Sequence, residues 1–342
     1  MNLPRSGLDF QPPLLLLLLL WIACATARVS RDEWESFKAQ YGKWYNEYDN
    51  IRHYGIYNRT VQMVQQHNSL FAAGSVSFEM GLNEYSDTMQ NLLPFEAEDP
   101  PQPYRSDIPV SSIRKPPNYK YYDQIRCGRD WRNCGIISPV GNQGNECLSC
   151  WAFAAAGAIE AHLALKSNRL VQLSPKQLLD CSKLLNRGCG GGWVSVAYTY
   201  VKNNGIARRS SYPYRPQTED CRYSKSQSAG SVLGYVTLTA NERELAELVY
   251  NVGPVTVSID HIHPEFQHYS RGVLNVKECR SDRANLRHAM LLVGFGSDPK
   301  LGDYWLLKNS MGRSWGIDGY LKLARNAGNM CGVASIPQYP LV

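Results

Sequence analysis

Two cysteines three positions apart, Cys147 and Cys150, head an alanine-rich run in NECLSCWAFAAAG (145–157). Such a pair serves as a redox dithiol, as half of a zinc site, or as one structural thiol beside one nucleophile. A nucleophilic thiol must be a thiolate at working pH, and the partial positive charge of a helix N-terminus stabilises that anion. Cys150 stands at the head of WAFAAAGAIEAHLALK, whose alanines favour helix, whereas Cys147 falls in the entering loop and suits a bridge. A thiolate also needs an imidazole as ion-pair partner and proton carrier, and a third group to orient that ring. Of the seven histidines, His53 and His67 lie near the N-terminus and His162 lies in the alanine-rich run. His261, His263 and His268 are scattered through DHIHPEFQHY (260–269), a polar loop. His288 stands apart in NLRHAMLLVGFG (285–296), at the entrance to an apolar strand able to present a rigid side chain.

The elements that must hold these groups can be read around them. Residues 150–166 have helical character, and Leu173–Asp180 continues it behind the turn-forming Ser174-Pro175. Gly188–Gly192 is a glycine-rich turn, while GPVTVSID (253–260), AMLLVGFG (289–296) and DYWLLKNS (303–310) read as strands. Helices followed by strands predict an α+β fold of two lobes, and no internal repeat is present. Upstream, residues 32–48 and 51–68 have helix-compatible spacing, and 76–87 reads as extended and then turning. The segment 95–117, rich in proline and acids, reads as a linker. Arg5, the apolar run Leu14–Cys24 and the small residues Ala25-Thr26-Ala27 form a signal-peptide pattern too short to span a bilayer. No other apolar stretch reaches spanning length. The expected organisation is therefore a signal peptide at 1–27, a helical acidic module at 28–122 and a larger domain at 123–342. Asn58 begins the sequon Asn58-Arg59-Thr60 in the small module, an expected glycosylation site.

Export makes disulfides the expected state of the cysteines. Ten cysteines less Cys24 leave nine, an odd number, so four bridges would leave one thiol for chemistry. The net charge is +6, divided as −3 over residues 28–125 and +9 over residues 126–342. No dense Lys/Arg tract marks a nucleic-acid surface. The two charges attract each other, and acid weakens that attraction by protonating carboxylates.

Together SCWAF opening a helix, RHAMLLVGFG and LKNSMGRSWG resemble the papain-like cysteine proteases, close to cathepsins of the L, K and S kind. The likeness runs from about residue 32 to the C-terminus through DWRNCGIISPVGNQG (130–144), LSPKQLLDCS (173–182), GCGGG (188–192), SYPY (211–214), NVGPVTVSID (251–260) and CGVAS (331–335). It implies a papain-like two-lobe α+β fold, with a helical lobe, a β-barrel-like lobe and a cleft between them, preceded by an inhibitory propeptide. It also implies a cysteine endopeptidase that needs no cofactor and no metal. By position, Cys150 would be the nucleophile, His288 its ion-pair partner, Asn309 the group orienting the imidazole and Gln143 an oxyanion donor beside the Cys150 N–H.

The resemblance further implies the bridges Cys147–Cys189, Cys181–Cys221 and Cys279–Cys331. Cys127 and Cys134 have no family counterpart and are expected to pair because the count leaves them over. The implied specificity pocket is Trp193, Val194, Ser258, Leu286, Ala289 and Ile336, an uncharged lining expected to favour an apolar P2 side chain. Gly191 and Gly192 would pair with an extended substrate backbone. Implied partners are protein and peptide substrates, the chain's own propeptide and cystatin-type inhibitors. The expected form is a monomer without membrane span, routed to the lysosome or endosome or to the extracellular space.

GLNEYSD (81–87) matches the family propeptide pattern G-x-N-x-F-x-D with Tyr85 for Phe. Of the helical propeptide signature, aligned at Asp49, His53, Tyr57, Thr60, Val64 and Asn68, only Asn68 is identical, which puts the charge pairing of the module in question. Other departures sit near the site. Gln143 to Cys150 is one step longer than the family spacing, Leu148 replaces a glycine, Met311 replaces a shielding tryptophan, and Arg287 precedes His288. These departures sustain an alternative, a catalytically impaired binding or regulatory protein on the same fold. A thioredoxin-like oxidoreductase lacks the βαβ context it requires.

Overall fold

The computed structural model describes residues 28–88, 130–238 and 240–342. The expected signal peptide, the linker 95–117 and Cys127 lie outside them. Two compact units are present. Among the described residues the first comprises residues 28–63 together with Ser86–Thr88, and the second Val64–Tyr85 together with residues 130–238 and 240–342.

The first unit is built on α1 (Arg31–Gln40) and most of α2 (Glu47–Ala72). Ser30 and Glu33 close a capping box at the start of α1. The helical spacing seen over 32–48 is interrupted by Tyr41-Gly42. Gly42, at φ 62°, ends α1 in the left-handed conformation that glycine adopts without strain. Trp34 lies at the centre of an aromatic cluster, with Phe37, Tyr45, Tyr54 and Tyr57 at ring separations of 5.4–6.2 Å. The charge pairing that the weak helical signature left in question is supplied by Asp87. Its buried carboxylate accepts from Lys43 Nζ and from the Tyr45 hydroxyl, each at 2.6 Å. Its carbonyl contacts His53 Nδ1 at 2.7 Å, and the His53 ring stacks on Tyr45 at 4.0 Å. The sequon lies in the middle of α2 rather than in a loop. Asn58 Oδ1 accepts from Val29 N at 2.9 Å, and Thr60 is buried.

In the second unit the last turns of α2 hold β1 (Phe78–Met80): Asn68 both donates to and accepts from the Met80 backbone, and His67 Nε2 meets Phe78 O at 3.0 Å. This gives a structural role to the one identical residue of the helical signature. The remaining elements are α3 (Cys150–Ser167), α4 (Pro175–Cys181), α5 (Val194–Asn204), β2 (Ile206–Ala207), β3 (Ser228–Gly230), β4 (Gly234–Thr237) and α6 (Glu242–Asn251). They continue with β5 (Val255–Ile259), α7 (Pro264–Gln267), β6 (Tyr269–Gly272), β7 (His288–Asp298), β8 (Gly302–Lys308), β9 (Tyr320–Ala324) and β10 (Gln338–Leu341). Six strands form an antiparallel sheet in the order β4-β10-β5-β7-β8-β9, and β1 pairs antiparallel with β6. Gly272 permits that second pairing. Its φ is 92°, and a Cβ there would collide with the Ser77 carbonyl oxygen.

Helix α3 is the axis of the helical lobe. Ala152, Ala155, Ala158 and Ala161 are fully buried, and their small side chains let α4, α5 and β7 approach closely. Its one buried acid, Glu160, ties the lobes together. It accepts from Leu173 N at 2.7 Å and from the Ser138 hydroxyl, which in turn accepts from Lys308 Nζ at 3.0 Å. Burial pushes the Glu160 carboxyl up, and the Lys308 charge opposes that rise. Bridges join Cys147 to Cys189, Cys181 to Cys221 and Cys279 to Cys331, the pairings that the resemblance implies. Cys134 is also disulfide-bonded, and Cys127, its expected partner, lies outside the described residues.

Replacing Asp87 by alanine leaves Lys43 and Tyr45 facing a buried void without an acceptor. The expected cost to the first unit is about 3–5 kcal/mol. Hydrogen exchange on the full-length chain should show amides of residues 31–63 opening faster while those of α3 keep their protection.

Candidate active site

Ser149 precedes α3 without capping it, because its hydroxyl is hydrogen-bonded to Tyr214 at 2.7 Å. The Cys150 and Trp151 N–H groups are therefore available to the side chain that opens the helix, Cys150. Burial pushes the Cys150 thiol up, while the main-chain N–H groups of Ala289, Trp151 and Cys150 itself hold it down. It is the free cysteine among the described residues and is buried.

The sheet delivers the imidazole and the amide. His288 is the first residue of β7 and Asn309 follows the last residue of β8, and the antiparallel pairing that joins Leu291 to Lys308 brings these two ends together. His288 Nε2 lies 2.8 Å from Asn309 Oδ1, which also accepts from Ser310 N at 2.8 Å. An amide oxygen only accepts, so Nε2 carries the proton and Nδ1 is the acceptor of the neutral ring. Burial pushes His288 down to about 4, opposed by this hydrogen bond. Both shifts favour the uncharged forms, thiol and neutral imidazole.

Gln143 is buried and fixed on every side. Its N–H donates to Ser310 O at 2.7 Å, and its Oε1 accepts from the Ser310 hydroxyl at 2.6 Å. Its carbonyl accepts from Tyr214, and its Nε2 donates to Cys147 O at 3.0 Å. This last contact commits one amide hydrogen to the loop that carries the extra residue. Leu148 lies outside the left-handed region and donates to Cys189 O at 2.9 Å, so replacing glycine there introduces no backbone strain. Met311 is buried and bridges Asn142. Phe266 meets the His288 ring edge-on at 5.4 Å and packs on Trp315 at 5.0 Å.

The expected pocket residues occupy several elements. Ser258 and Ala289 face each other across β5 and β7, and Leu286 packs on Gly332 so closely that a Cβ there would clash. Gly192 lies against Trp151 and Asn186, Gly191 precedes it at φ 107°, and Trp193 N donates to Asn186 Oδ1. Val194 opens α5 and is buried, and Ile336 lies half-buried before β10. His261, read in the sequence as part of a polar loop, is half-buried, with its ring 4.9 Å from that of His288. The signal for this was the strand register, because Ile259 pairs with His288 and the chain just beyond it must cross that ring. Asp260 and His263 lie beside Cys279, but that sulfur is bonded to Cys331 and offers no thiolate to a metal.

A nucleophile candidate at a helix start, an oriented imidazole, and a helical lobe beside an antiparallel sheet define a thiol hydrolase with a propeptide segment folded onto it. Residues 127–341 match the family model described as papain family cysteine protease, and residues 34–91 that of the cathepsin propeptide inhibitor domain (I29). The chain belongs to the papain family of cysteine proteases and is a cysteine endopeptidase made as a zymogen with its own inhibitor domain. It is 38% identical to cathepsin L of Sarcophaga peregrina over 96% of this chain and 98% of that protein. It is 35% identical to cathepsin J of Mus musculus over the same shares of the two chains. The solved structure of digestive procathepsin L 3 from Tenebrio molitor larval midgut superposes with a TM-score of 0.80 at 37% identity, covering 91% of this chain and 99% of that one. Among the described residues no helix is long and apolar enough to cross a membrane.

The burial that raises the Cys150 thiol makes alkylation of the zymogen slow at neutral pH. Iodoacetamide labelling followed by peptide mass mapping should show modification of Cys150 that accelerates from pH 7 to pH 9 and again after the propeptide is removed.

Proposed function

We propose that Cys150 attacks the scissile carbonyl of a peptide substrate while His288 carries the proton to the leaving amine. Asn309 holds the imidazole, and the second Gln143 Nε2 hydrogen and the Cys150 N–H stabilise the oxyanion. The observation that carries this reading is the 2.8 Å contact of His288 Nε2 with Asn309 Oδ1, made where the Ala289 N–H points at the Cys150 sulfur. The thiolate would gain from the same N–H groups and from the helix N-terminus once solvent or substrate replaces the propeptide. Gly191 and Gly192 would pair with an extended substrate. The uncharged lining of Trp193, Val194, Ser258, Leu286, Ala289 and Ile336 would accept an apolar P2 side chain.

Maturation would separate residues 28–122 from 123–342 after removal of 1–27, leaving a Cys127–Cys134 bridge in the enzyme. The opposite charges of the two parts give acid a means of weakening their association. The mature enzyme would act as a monomer in lysosomes or outside the cell, where cystatin-type inhibitors are its natural antagonists, and Asn58 would carry glycan on the propeptide. The alternative, a catalytically impaired binding protein, draws support from the Gln143 amide hydrogen committed to Cys147 O.

The two readings separate on acid activation followed by turnover of fluorogenic peptides with Leu or Phe at P2. Thiol-dependent turnover abolished by Cys150→Ala is expected, and an inactive but fully processed wild type would support the alternative. Gln143→Ala should lower kcat about 10²–10³-fold if its free hydrogen serves the oxyanion. Asn309→Ala should lower kcat/KM about 10–100-fold by releasing the ring, with KM little changed.

A further inference from the structure

His261 and His288 form a pair that the endopeptidase mechanism does not require. Their rings lie 4.9 Å apart with planes inclined by 30°, and Phe266 presents its edge to both, at 5.7 Å and 5.4 Å. The two histidines arrive from different elements. His261 follows β5, His288 begins β7, and the bridge between Ile259 and His288 fixes their spacing.

Two further neighbours of His261, Arg287 and His263, add positive charge. Arg287 precedes His288, and His263 lies on the same loop. Asp260, the acid next to His261 in the chain, is directed elsewhere: Oδ2 takes Arg280 N at 2.9 Å and His263 Nε2 at 3.2 Å, and Oδ1 takes Ile262 N. A neutral ring stacked on an imidazolium attracts it, whereas two imidazoliums at this distance repel strongly in a buried setting.

We propose that His261 is a positioning residue coupled to His288, the two rings holding one proton between them, so that protonation of His261 withdraws His288 from its pair with Cys150. This rests on Cys150 and His288 acting as the thiolate–imidazolium pair. A proton taken up by His261 drives the His288 proton onto the Cys150 sulfur, leaving a thiol and a neutral His288. That state holds one more proton than the active pair and is inactive. The rings titrate as a unit, and the acid limb of activity belongs to the pair rather than to Cys150 alone. His261 thereby sets the lowest pH at which the enzyme works.

The test is the pH dependence of kcat/KM for the acid-activated enzyme on an uncharged peptide substrate, in wild type, His261→Gln and His261→Phe. Both variants remove the titration, and Phe keeps an aromatic ring against Phe266. The acid limb should move to lower pH by about half a unit or more in both. An acid limb that stays in place, with or without a lower plateau, overturns the proposal and reduces His261 to packing. Should neither variant fold, NMR of the ring-labelled wild-type enzyme decides. Two coupled steps seen at both rings are expected, and two independent titrations overturn the coupling. Cys150→Ser, run in parallel, tests the underlying reading by itself, since turnover surviving there defeats that reading whatever the acid limb does.

Discussion

The candidate site depends on the register in which β7 runs between β5 and β8. His288 meets Asn309 because β7 begins where β8 ends, and it meets His261 because β5 ends there as well. A slip of one residue would exchange the faces of β7 and turn His288 out of the cleft. That register is secured by the apolar strand itself. Met290, Leu291, Leu292 and Val293 are all buried, so any other alignment exposes them. The chemistry at one end of the sheet is held by burial along its length.

The helical lobe contributes the Cys150 sulfur to this arrangement and positions it by a different means. Alanine-rich α3 is buried on most sides and cannot rotate without disturbing its neighbours. The Cys147–Cys189 bridge anchors the loop that enters it. Glu160, Ser138 and Lys308 link that helix to β8, the strand that Asn309 follows. Nucleophile and orienting amide are thereby connected through a buried polar chain.

Much of this was legible in the sequence. Cys150 at a helix start and His288 at a strand start follow from composition and hydrophobic pattern, and the residues around Gln143 and Asn309 carry a family resemblance. What the pattern could not show lies in pairings between distant segments. Val194–Asn204 is dense in β-branched and aromatic residues that favour strand, yet packing against α3 makes it helix. His261 sits in a polar stretch and is nevertheless packed against His288, because its place follows from the strand before it and the strand 27 residues later. The helical signature of the propeptide looks degenerate position by position. Asp87 supplies the missing charge pairing by an ion pair with Lys43 and a hydrogen bond accepted from Tyr45, residues outside that signature.

The pairing of β1 with β6 is short, three residues of main chain admitted by the missing side chain at Gly272. Contacts of that size are weak between separate molecules, but within one chain they operate at the high effective concentration a covalent connection supplies. One peptide-bond cleavage removes that advantage without altering a single contact. Dilution then favours separation, so inhibition here is a property of connectivity as much as of fit.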